Sequence, residues 1–237
     1  MYRQDPACDD CIGGDFLPLL FDLHVHSTAS NDGCSTLAEL IDAAKSKGLD
    51  GAAITDHDVP MDPKKASEMT KQTGFLVIPG IEITTDSGHL LVLDPRRPFH
   101  KAIQLMEVLE VALIDGSAVI IPHPTDPMSH GIGTALTEKA ARHRIPLETM
   151  NASTMRRYNS SAASLADRLS LPKTGGSDAH LAKAVGDAYT SIDADDRSLP
   201  SVLKAIREGK TSPCGRQTSR ALTVETAFMR VRRRIKL

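Results

Sequence analysis

The sequence has no tryptophan and few aromatic residues, which make up only 3% of its 237 residues. Stacking of bases on aromatic side chains is a main source of affinity in proteins that bind single-stranded nucleic acids. The composition therefore argues against a dedicated single-strand binder. Because 41% of the residues are hydrophobic, the core has to be built mainly from aliphatic side chains, and the length suits one α/β domain.

The sequence also lacks a run of about 18 apolar residues, so it predicts no membrane-spanning helix. Its first ten residues, MYRQDPACDD, are polar and acidic, unlike a signal peptide. We therefore expect a cytoplasmic protein. Cysteines are scarce, and Cys8-x-x-Cys11 has zinc or redox spacing without a second pair to complete it. Reduced thiols on an N-terminal extension of residues 1–20 are the favoured interpretation.

Positive charge is concentrated near the C-terminus, although the net charge of the chain is only −2. The segment Lys204–Leu237 has ten basic and two acidic residues, a net charge of +8. It ends in a helical pattern that carries an apolar stripe. We expect this stripe to pack on the domain and the arginines to be solvated; binding of nucleic acid or phosphate by the arginines is the alternative. The stripe contains Val224, Phe228, Val231 and Ile235.

Short apolar runs alternate with helical patterns along the chain. The runs predict strands at 21–26, 51–55, 75–84, 89–94, 117–123, 145–150, 172–178 and 188–193. The helical patterns cover 37–47, 63–73, 100–115, 161–169 and 201–208. Such alternation predicts a mainly parallel sheet with helices outside it, closed or nearly closed into an α/β barrel. We expect one barrel domain over residues 21–237, with a basic C-terminal helix or tail from about residue 203.

The stretch FDLHVH at residues 21–26 places polar and apolar side chains on opposite faces of one strand. Side chains alternate along a strand, so Asp22, His24 and His26 share a face, while Leu23 and Val25 share the other. The apolar face can pack on helices. The polar face has to point at something that binds imidazole.

Histidines and acids recur at or beside the ends of other predicted strands. Glu82 lies inside an apolar strand, where a carboxylate costs several kcal/mol unless it is paired or coordinated. Each residue alone fits an ordinary hydrogen-bonded role. Together they suggest a catalytic site for zinc, manganese or iron, and their number exceeds the needs of one ion, which implies two or three. The recurring residues are Asp56, His57, Glu82, His89, His123, Asp178 and His180.

Five separate motifs resemble those of the PHP (polymerase and histidinol phosphatase) domain family. They are DLHVHS at 22–27, ITDHD at 54–58, PGIE at 79–82, IPHP at 121–124 and GSDAH at 176–180. They occur in order within about residues 21–190. The resemblance implies a distorted, TIM-like (β/α)7 barrel, a three-metal site at the C-terminal ends of its strands, and phosphoester hydrolysis.

The resemblance also implies a ligand set, in which a histidine common at one position is replaced by Asp32. That replacement favours manganese. Glu82 would bridge two of the ions. The first metal would be held by His24, His26, Glu82 and Asp178, the second by Glu82, His123 and His89, and the third by Asp32, His57 and His180.

Two further residues are candidates for catalysis. Asp56 would orient a ligand or a metal-bound water, and Arg156 would bind phosphate directly, with Arg157 and Asn151 as weaker candidates at the same strand end. The hypothesis is that a metal-activated hydroxide hydrolyses a phosphate monoester.

The substrate is either a small molecule, such as histidinol phosphate or a nucleotide, or the end of a nucleic acid. The shortage of aromatic residues favours the former, and the basic tail favours the latter. Two other functions stay open. One is a metal-free structural subunit of a nucleic-acid-processing complex. The other is an amidohydrolase-type C–N hydrolase, although Glu82 stands where that type usually carries a bridging lysine.

Overall fold

The protein is described by a computed structural model that covers residues 17–99 and 103–235. Most of the predicted N-terminal extension, including Cys8 and Cys11, lies outside these residues. Leu19 and Leu20, assigned to that extension, already belong to the first strand. Within the described residues, no helix is both long and apolar enough to cross a bilayer.

Nine strands and seven α-helices are assigned in this part of the chain. The strands are β1 (Leu19–Val25), β2 (Gly51–Ile54), β3 (Leu76–Thr85), β4 (Gly88–Leu93), β5 (Ala118–Ile120), β6 (Leu147–Asn151), β7 (Lys173–Gly176), β8 (Ala188–Ile192) and β9 (Thr211–Gly215). The helices are α1 (Leu37–Ser46), α2 (Pro63–Thr73), α3 (Leu105–Ile114), α4 (Gly133–Ala140), α5 (Arg156–Leu169), α6 (Leu199–Arg207) and α7 (Arg220–Ile235).

Local sequence signals set several helix boundaries. Thr36 and Glu39 form a reciprocal capping box at the start of α1. Asp62 caps α2, Pro63 occupies its first position, and Gly74 ends it with a left-handed backbone at φ 67°. α5 begins at Arg156, five residues before the predicted start at 161. No side chain caps this end of the helix, so the sequence carries no signal that marks where it begins. α4 and β9 were not predicted.

The expectation of a mainly parallel sheet is met only in part, because β4 and β8 run antiparallel to their neighbours, whereas the bridges Ile121–Leu147 and Val25–Ala179 are parallel. Seven strands form one sheet in the order β5-β4-β3-β2-β1-β8-β9, and β6 pairs with β7. β1, β2 and β3 are parallel, as are β6 and β7, but β4 and β8 each pair antiparallel with both neighbours. The tight turn between β3 and β4 leaves no room for a crossover helix, so these strands form a hairpin.

Backbone contacts close these sheets into a barrel. Glu148 N donates to Ile121 O at 2.9 Å, which joins β6 to the residue after β5. On the other side, Asp178 N donates to His24 O at 2.8 Å, and His26 N donates to Ala179 O at 2.9 Å. The chain after β7 therefore lies beside the end of β1. The strands β1–β7 form a distorted TIM-like barrel, and β8 and β9 continue the sheet beyond β1, with Thr190 of β8 also hydrogen-bonded to Gly175 of β7.

The apolar faces of the strands are covered by helices. Leu23 belongs to a buried cluster with residues of α6, and Val25 belongs to another with residues of α1. A third cluster joins β4, α3 and α5. The cluster with Leu23 also contains Leu91, which lies opposite Glu82 in the β3–β4 hairpin, so aliphatic side chains occupy part of the inward face as well as the face covered by helices.

The apolar stripe of α7 does not pack on the barrel, contrary to the expectation. Val224, Phe228, Val231 and Ile235 are 69%, 64%, 55% and 78% exposed. Leu222 is the residue of this helix that packs against a core cluster. The helix instead turns part of its arginine-bearing face to the barrel, because acceptors at the end of β1 lie there.

Candidate metal centre

β1 brings two imidazoles into the barrel from one face. His24 and His26 are fully buried, and their ring centroids lie 5.0 Å apart. Leu23 and Val25 are buried as well. The alternation predicted from FDLHVH is interrupted, because the pairing of β1 with β2 has a register irregularity between Asp22 and Val25, and Leu23 and Val25 enter different core clusters. Asp22 lies opposite Ala52 and accepts hydrogen bonds from the backbone N–H groups of Ser177 (2.9 Å) and Gly186 (2.8 Å).

Glu82 of β3 is a buried carboxylate with imidazole nitrogens at both of its oxygens. Its Oε1 lies 2.7 Å from His89 Nδ1 and 3.2 Å from His123 Nε2. Its side chain is 1% exposed, so it is shielded from bulk solvent. The histidines come from β4 and from the segment after β5, so β3 holds Glu82 between two chain segments.

The second oxygen of Glu82 faces a different set of rings. Oε2 lies 3.2 Å from His24 Nε2, 3.3 Å from His26 Nε2 and 3.1 Å from His57 Nδ1. Each carboxylate oxygen thus has its own group of imidazoles. This is the arrangement expected of a carboxylate that bridges two cations.

Asp178 follows β7 and completes the β1 side of the cluster. Its Oδ1 lies 3.3 Å from His26 Nε2 and 3.7 Å from His24 Nε2. Asn151 Nδ2 donates to the other oxygen, Oδ2, at 3.3 Å. Burial alone would raise the pKa of Asp178, but the charge of His24 and the close approach of the His26 ring hold it well below its usual value.

Asp32 and two imidazoles form the outer part of the cluster. Asp32 Oδ2 lies 3.0 Å from His180 Nε2 and 3.7 Å from His57 Nε2. Ser30 Oγ donates to its Oδ1 at 2.7 Å. Arg230 of α7 also contacts Oδ2. The nine predicted ligands are therefore brought together in one continuous cluster.

The donor set fits divalent cations. Among the described residues, several buried ring nitrogens have no hydrogen-bond partner of acceptable geometry. Some approach carboxylate oxygens closely without the angles of a hydrogen bond, as expected when both atoms point at a shared third atom. Buried nitrogens without a partner are costly in an isolated protein. They are His26 Nδ1 and Nε2, His89 Nδ1, His123 Nδ1 and His180 Nε2.

Groups of three side chains with ligand atoms within 4.8 Å of one another share members, as multinuclear sites do. The grouping differs from the predicted one in placing His26 with His57 and His180, and His57 with Glu82. The groups are His26–His57–His180, His24–His26–Glu82, His57–Glu82–His89 and His24–His123–Glu148.

Electrostatics separate the imidazoles into two kinds. Burial, together with the charge of His180, lowers the pKa of His26 to about 3, so its ring is neutral and can act as a ligand. Burial also opposes protonation of His24, but Glu148, Glu82 and Asp178 outweigh it and raise the pKa of His24 well above its usual value. A cation placed among these carboxylates would replace the proton on His24.

Glu148 of β6 is a member of this cluster that the sequence analysis missed. It is 1% exposed; its Oε1 lies 3.1 Å from His24 Nδ1, and its Oε2 accepts from His123 N at 2.9 Å. Asn151 Nδ2 donates to the same Oε2 at 2.9 Å. The signal was available, since an acid inside the apolar run IPLETM is the same anomaly that identified Glu82.

Asp56 has a different environment from the predicted one. Its Oδ1 accepts from Ser27 N at 2.6 Å and Ser30 N at 3.0 Å, and its Oδ2 accepts from Ser27 Oγ at 2.7 Å. Burial raises the pKa of this carboxyl, and the hydrogen bonds oppose that rise. These contacts hold the loop that leads from His26 to Asp32, so Asp56 acts on the loop rather than on a ligand directly.

Arg156 is not brought to the cluster. It is exposed at the first position of α5 and lines a cleft of about 500 Å³ with Asn159, Arg216 and Gln217. None of the nine predicted ligands lines that cleft. Arg157 is also exposed, and its guanidinium stacks on the Tyr158 ring at 4.6 Å. Of the candidates at this strand end, Asn151 alone contacts a predicted ligand.

Two predicted ligands have a left-handed backbone. His123 has φ 31° and Asp178 has φ 53°. Such conformations cost about 1–3 kcal/mol in residues other than glycine and persist where surrounding contacts enforce them. At His123 the contact with Glu148 is one of these, and at Asp178 the bond to His24 O is another.

Comparison with known proteins agrees with this geometry. In sequence, the chain is 27% identical over 217 residues to the protein named "Probable phosphatase YcdX" of Shigella flexneri serotype 5b, covering 77% of this chain and 88% of that protein. It is 28% identical over 122 residues to the uncharacterized protein MJ1587 of Methanocaldococcus jannaschii, covering 47% of this chain and 71% of that protein.

Solved structures share the fold. A two-domain Bacteroides vulgatus protein, described as containing a predicted PHP-like metal-dependent phosphoesterase, has a TM-score of 0.68 and 23% identity over 90% of this chain and 69% of that one. PsfC of Pseudomonas syringae has a TM-score of 0.65 and 17% identity over 94% and 100%. A lesion-specific endonuclease of Pyrococcus furiosus has a TM-score of 0.60 and 18% identity over 82% and 57%.

Two family profiles cover much of the barrel and its outer elements. The PHP domain profile matches residues 22–121, which contain β1–β5 and six of the predicted ligands. The PHP-associated profile matches residues 156–211, which contain Asp178 and His180. The motifs, the distorted barrel and both profile matches agree, and the chain belongs to the PHP family.

Proposed function

We propose that this chain is a phosphoesterase that hydrolyses a phosphate monoester with two or three divalent cations held by nine residues. Family membership and the phosphatase and phosphoesterase names of its relatives support a metal-dependent phosphoesterase. The number of ions and the monoester substrate are the specific parts of the proposal. The proposed ligands are His24, His26, Asp32, His57, Glu82, His89, His123, Asp178 and His180.

The observation that carries the proposal is the position of Glu82. A fully buried carboxylate with two imidazoles at one oxygen and three at the other has too many donors for one cation. Divalent cations held by these residues would supply a water of lowered pKa and would neutralise phosphate oxygens.

The chain's own residues supply the rest of the chemistry. The pKa of His26 is low, so near pH 7 its ring is neutral and a nitrogen lone pair is available to a cation. Glu148 contacts the far nitrogen of His24 and fixes the ring's orientation. Asp56 holds the loop that presents Asp32. Manganese is the ion that we expect first, because Asp32 supplies oxygen where another imidazole would favour zinc.

The proposed substrate carries a terminal phosphoryl group. Small phosphate monoesters and the phosphorylated end of a nucleic acid share this group, and an assay separates them. Mononucleotides and a 5′-phosphorylated oligonucleotide are compared at equal phosphate concentration. We propose the small substrate, because the chain has few aromatic residues on which bases could stack.

The test is hydrolysis of p-nitrophenyl phosphate by protein stripped with chelator and reloaded with manganese, zinc or iron(II). We expect activity that depends on the added ion and falls at least about 1,000-fold in His24→Ala and Asp178→Asn. His143→Ala is the matched control, because His143 lies on a surface turn away from the cluster. No hydrolysis with any of the ions would contradict the proposal, and a carboxamide substrate run in parallel tests the C–N hydrolase alternative.

A further inference from the structure

The C-terminal helix α7 brings a guanidinium to the edge of the candidate metal centre. Arg230 contacts Asp32 Oδ2, the same oxygen that lies 3.0 Å from His180 Nε2 and 3.7 Å from His57 Nε2. The Arg230 side chain is 37% exposed, whereas that of Asp32 is 5% exposed. The guanidinium therefore sits between the buried cluster and solvent, where a substrate would enter.

Arg233 lies one turn further along the same face of α7. Its Nη2 donates to Thr28 O at 2.7 Å, in the loop between His26 and Asp32. Its Nη1 is buried and has no hydrogen-bond partner among the described residues. A buried charged donor without an acceptor is costly, which indicates that this group has an acceptor in the working state of the protein.

The other contacts of α7 fix which face of the helix lies toward the candidate metal centre. Glu225 pairs with Lys183 at 2.5 Å beside the chain that follows His180, and Leu222 packs on a core cluster. Arg232 and Arg234, on other faces of the same helix, are exposed. The helix keeps its apolar stripe in solvent while two arginines face the site, so the arginine contacts, rather than apolar burial, set the orientation of its last turns.

We propose that Arg230 and Arg233 bind the phosphoryl group of the substrate on the Asp32 side of the metal centre. This inference rests on the proposed function and names the residues that recognise the phosphate. Arginine presents paired N–H donors that match phosphate oxygens and keeps its charge at any working pH. The two arginines are adjacent on the helix face, and Nη1 of Arg233 is already buried and unpaired.

The contact with Asp32 holds the Arg230 guanidinium in place before substrate binds. Asp32, His57 and His180 would hold a cation that neutralises the carboxylate and so would weaken its attraction for the guanidinium. The guanidinium then needs another anion at the same place. A phosphate oxygen bound beside that cation meets this need, so one anion is contacted by both. α7 thereby adds phosphate recognition that Arg156 does not supply at this cluster.

The test is calorimetric titration of the manganese-loaded protein with inorganic phosphate. We expect Arg230→Gln to weaken phosphate binding about 10- to 100-fold and Arg233→Gln about 10-fold, as for loss of a charged hydrogen bond. Arg232→Gln and Arg234→Gln remove equal charge from the same helix and are expected to change the affinity less than twofold. Arg230→Lys keeps the charge without the paired donors and should give an intermediate loss.

Manganese content and affinity of each variant are measured alongside. If Arg230 only neutralises Asp32 in metal-free protein, Arg230→Gln raises manganese affinity and leaves phosphate affinity unchanged, which overturns the inference. Equal losses in Arg230→Gln and Arg232→Gln, or no phosphate binding by the wild type, also overturn it. Failure of the proposed function has a different signature: wild type binds phosphate through Arg230 but hydrolyses no phosphate ester.

Discussion

Glu148 contacts His24 from behind the candidate metal centre, with Oε1 lying 3.1 Å from His24 Nδ1. Its other oxygen accepts from the backbone N–H of His123 at 2.9 Å. One buried carboxylate thus orients an imidazole of β1 and fixes the left-handed backbone at His123. Carboxylates in this position keep an imidazole in the tautomer that presents its other nitrogen to a cation.

Replacement of Glu148 by glutamine tests this role. The amide keeps the size of the carboxylate but loses its charge, so His24 and His123 are held less firmly. We expect manganese affinity to fall about 10- to 100-fold, measured by calorimetry, with the far-ultraviolet circular dichroism unchanged. Glu138→Gln, an exposed residue that pairs with Arg168, is the matched control. Unchanged affinity in Glu148→Gln would remove Glu148 from the site.

Substitution of Gly176 is a second test of the contact between Glu148 and His24. A Cβ at this position would lie 2.5 Å from Glu148 Oε1 and 2.6 Å from His24 Cβ. Gly176→Ala should therefore separate Glu148 from His24 and lower manganese affinity at least as much as Glu148→Gln does. Gly74→Ala, at the end of α2 where a Cβ meets open space, should reduce thermal stability without changing that affinity.

Asp56 is expected to contribute to stability rather than to chemistry. Asp56→Asn replaces one acceptor oxygen by a donor facing Ser27 or Ser30. We expect the free energy of unfolding to fall by about 1–3 kcal/mol, measured by denaturant titration. Manganese-loaded protein should keep most of its phosphate-ester hydrolysis at low temperature. A loss of at least 100-fold in turnover with unchanged stability would restore Asp56 to the catalytic role predicted from the sequence.

Asp22 predicts a pH dependence of stability. Burial raises its pKa to about 6 in the folded protein, against hydrogen bonds from Ser177, Gly186 and His24 that oppose the rise. An unfolded aspartate titrates near 3.9. The folded state therefore binds the proton more tightly, so this group stabilises the fold as pH falls from about 7 to 4.

Asp22→Asn removes that titration. The difference in unfolding free energy between wild type and Asp22→Asn, measured on metal-free protein, should grow in favour of the wild type as pH falls through 6. A difference independent of pH between 4 and 7 would contradict the raised pKa of Asp22. The other carboxylates and imidazoles are present in both proteins, so their titration cancels when the two unfolding free energies are subtracted.

The sequence predicted much of the inner face of the barrel because strand alternation is a short-range rule. The i, i+2 spacing of His24 and His26 indicated that both rings enter the same site, and an acid inside an apolar strand indicated Glu82; the register irregularity after Asp22 was not predicted. The same rule applied to IPLETM indicates Glu148, which was overlooked. The direction of β4 and the orientation of α7 depend on which partner lies opposite, and a one-dimensional pattern does not carry that information.

α7 illustrates the limit most clearly. Its apolar stripe at helical spacing favours burial, and that rule holds for most surface helices. Here Asp32 and Thr28 O, 198 and 205 residues earlier in the chain, offer acceptors to Arg230 and Arg233. Charged contacts of that sequence separation leave no local signal, so the helix was predicted correctly and its face was not.

Bridging of cations by Glu82, between the surrounding imidazoles, is the feature on which the proposed function depends. Its most direct test is the manganese content per chain of wild type and Glu82→Gln after reconstitution and removal of free ion, measured by elemental analysis. We predict two or three ions per wild-type chain and at most one in Glu82→Gln, since the neutral amide cannot bridge two cations. One ion or none in the wild type, or equal content in the two proteins, would contradict the account.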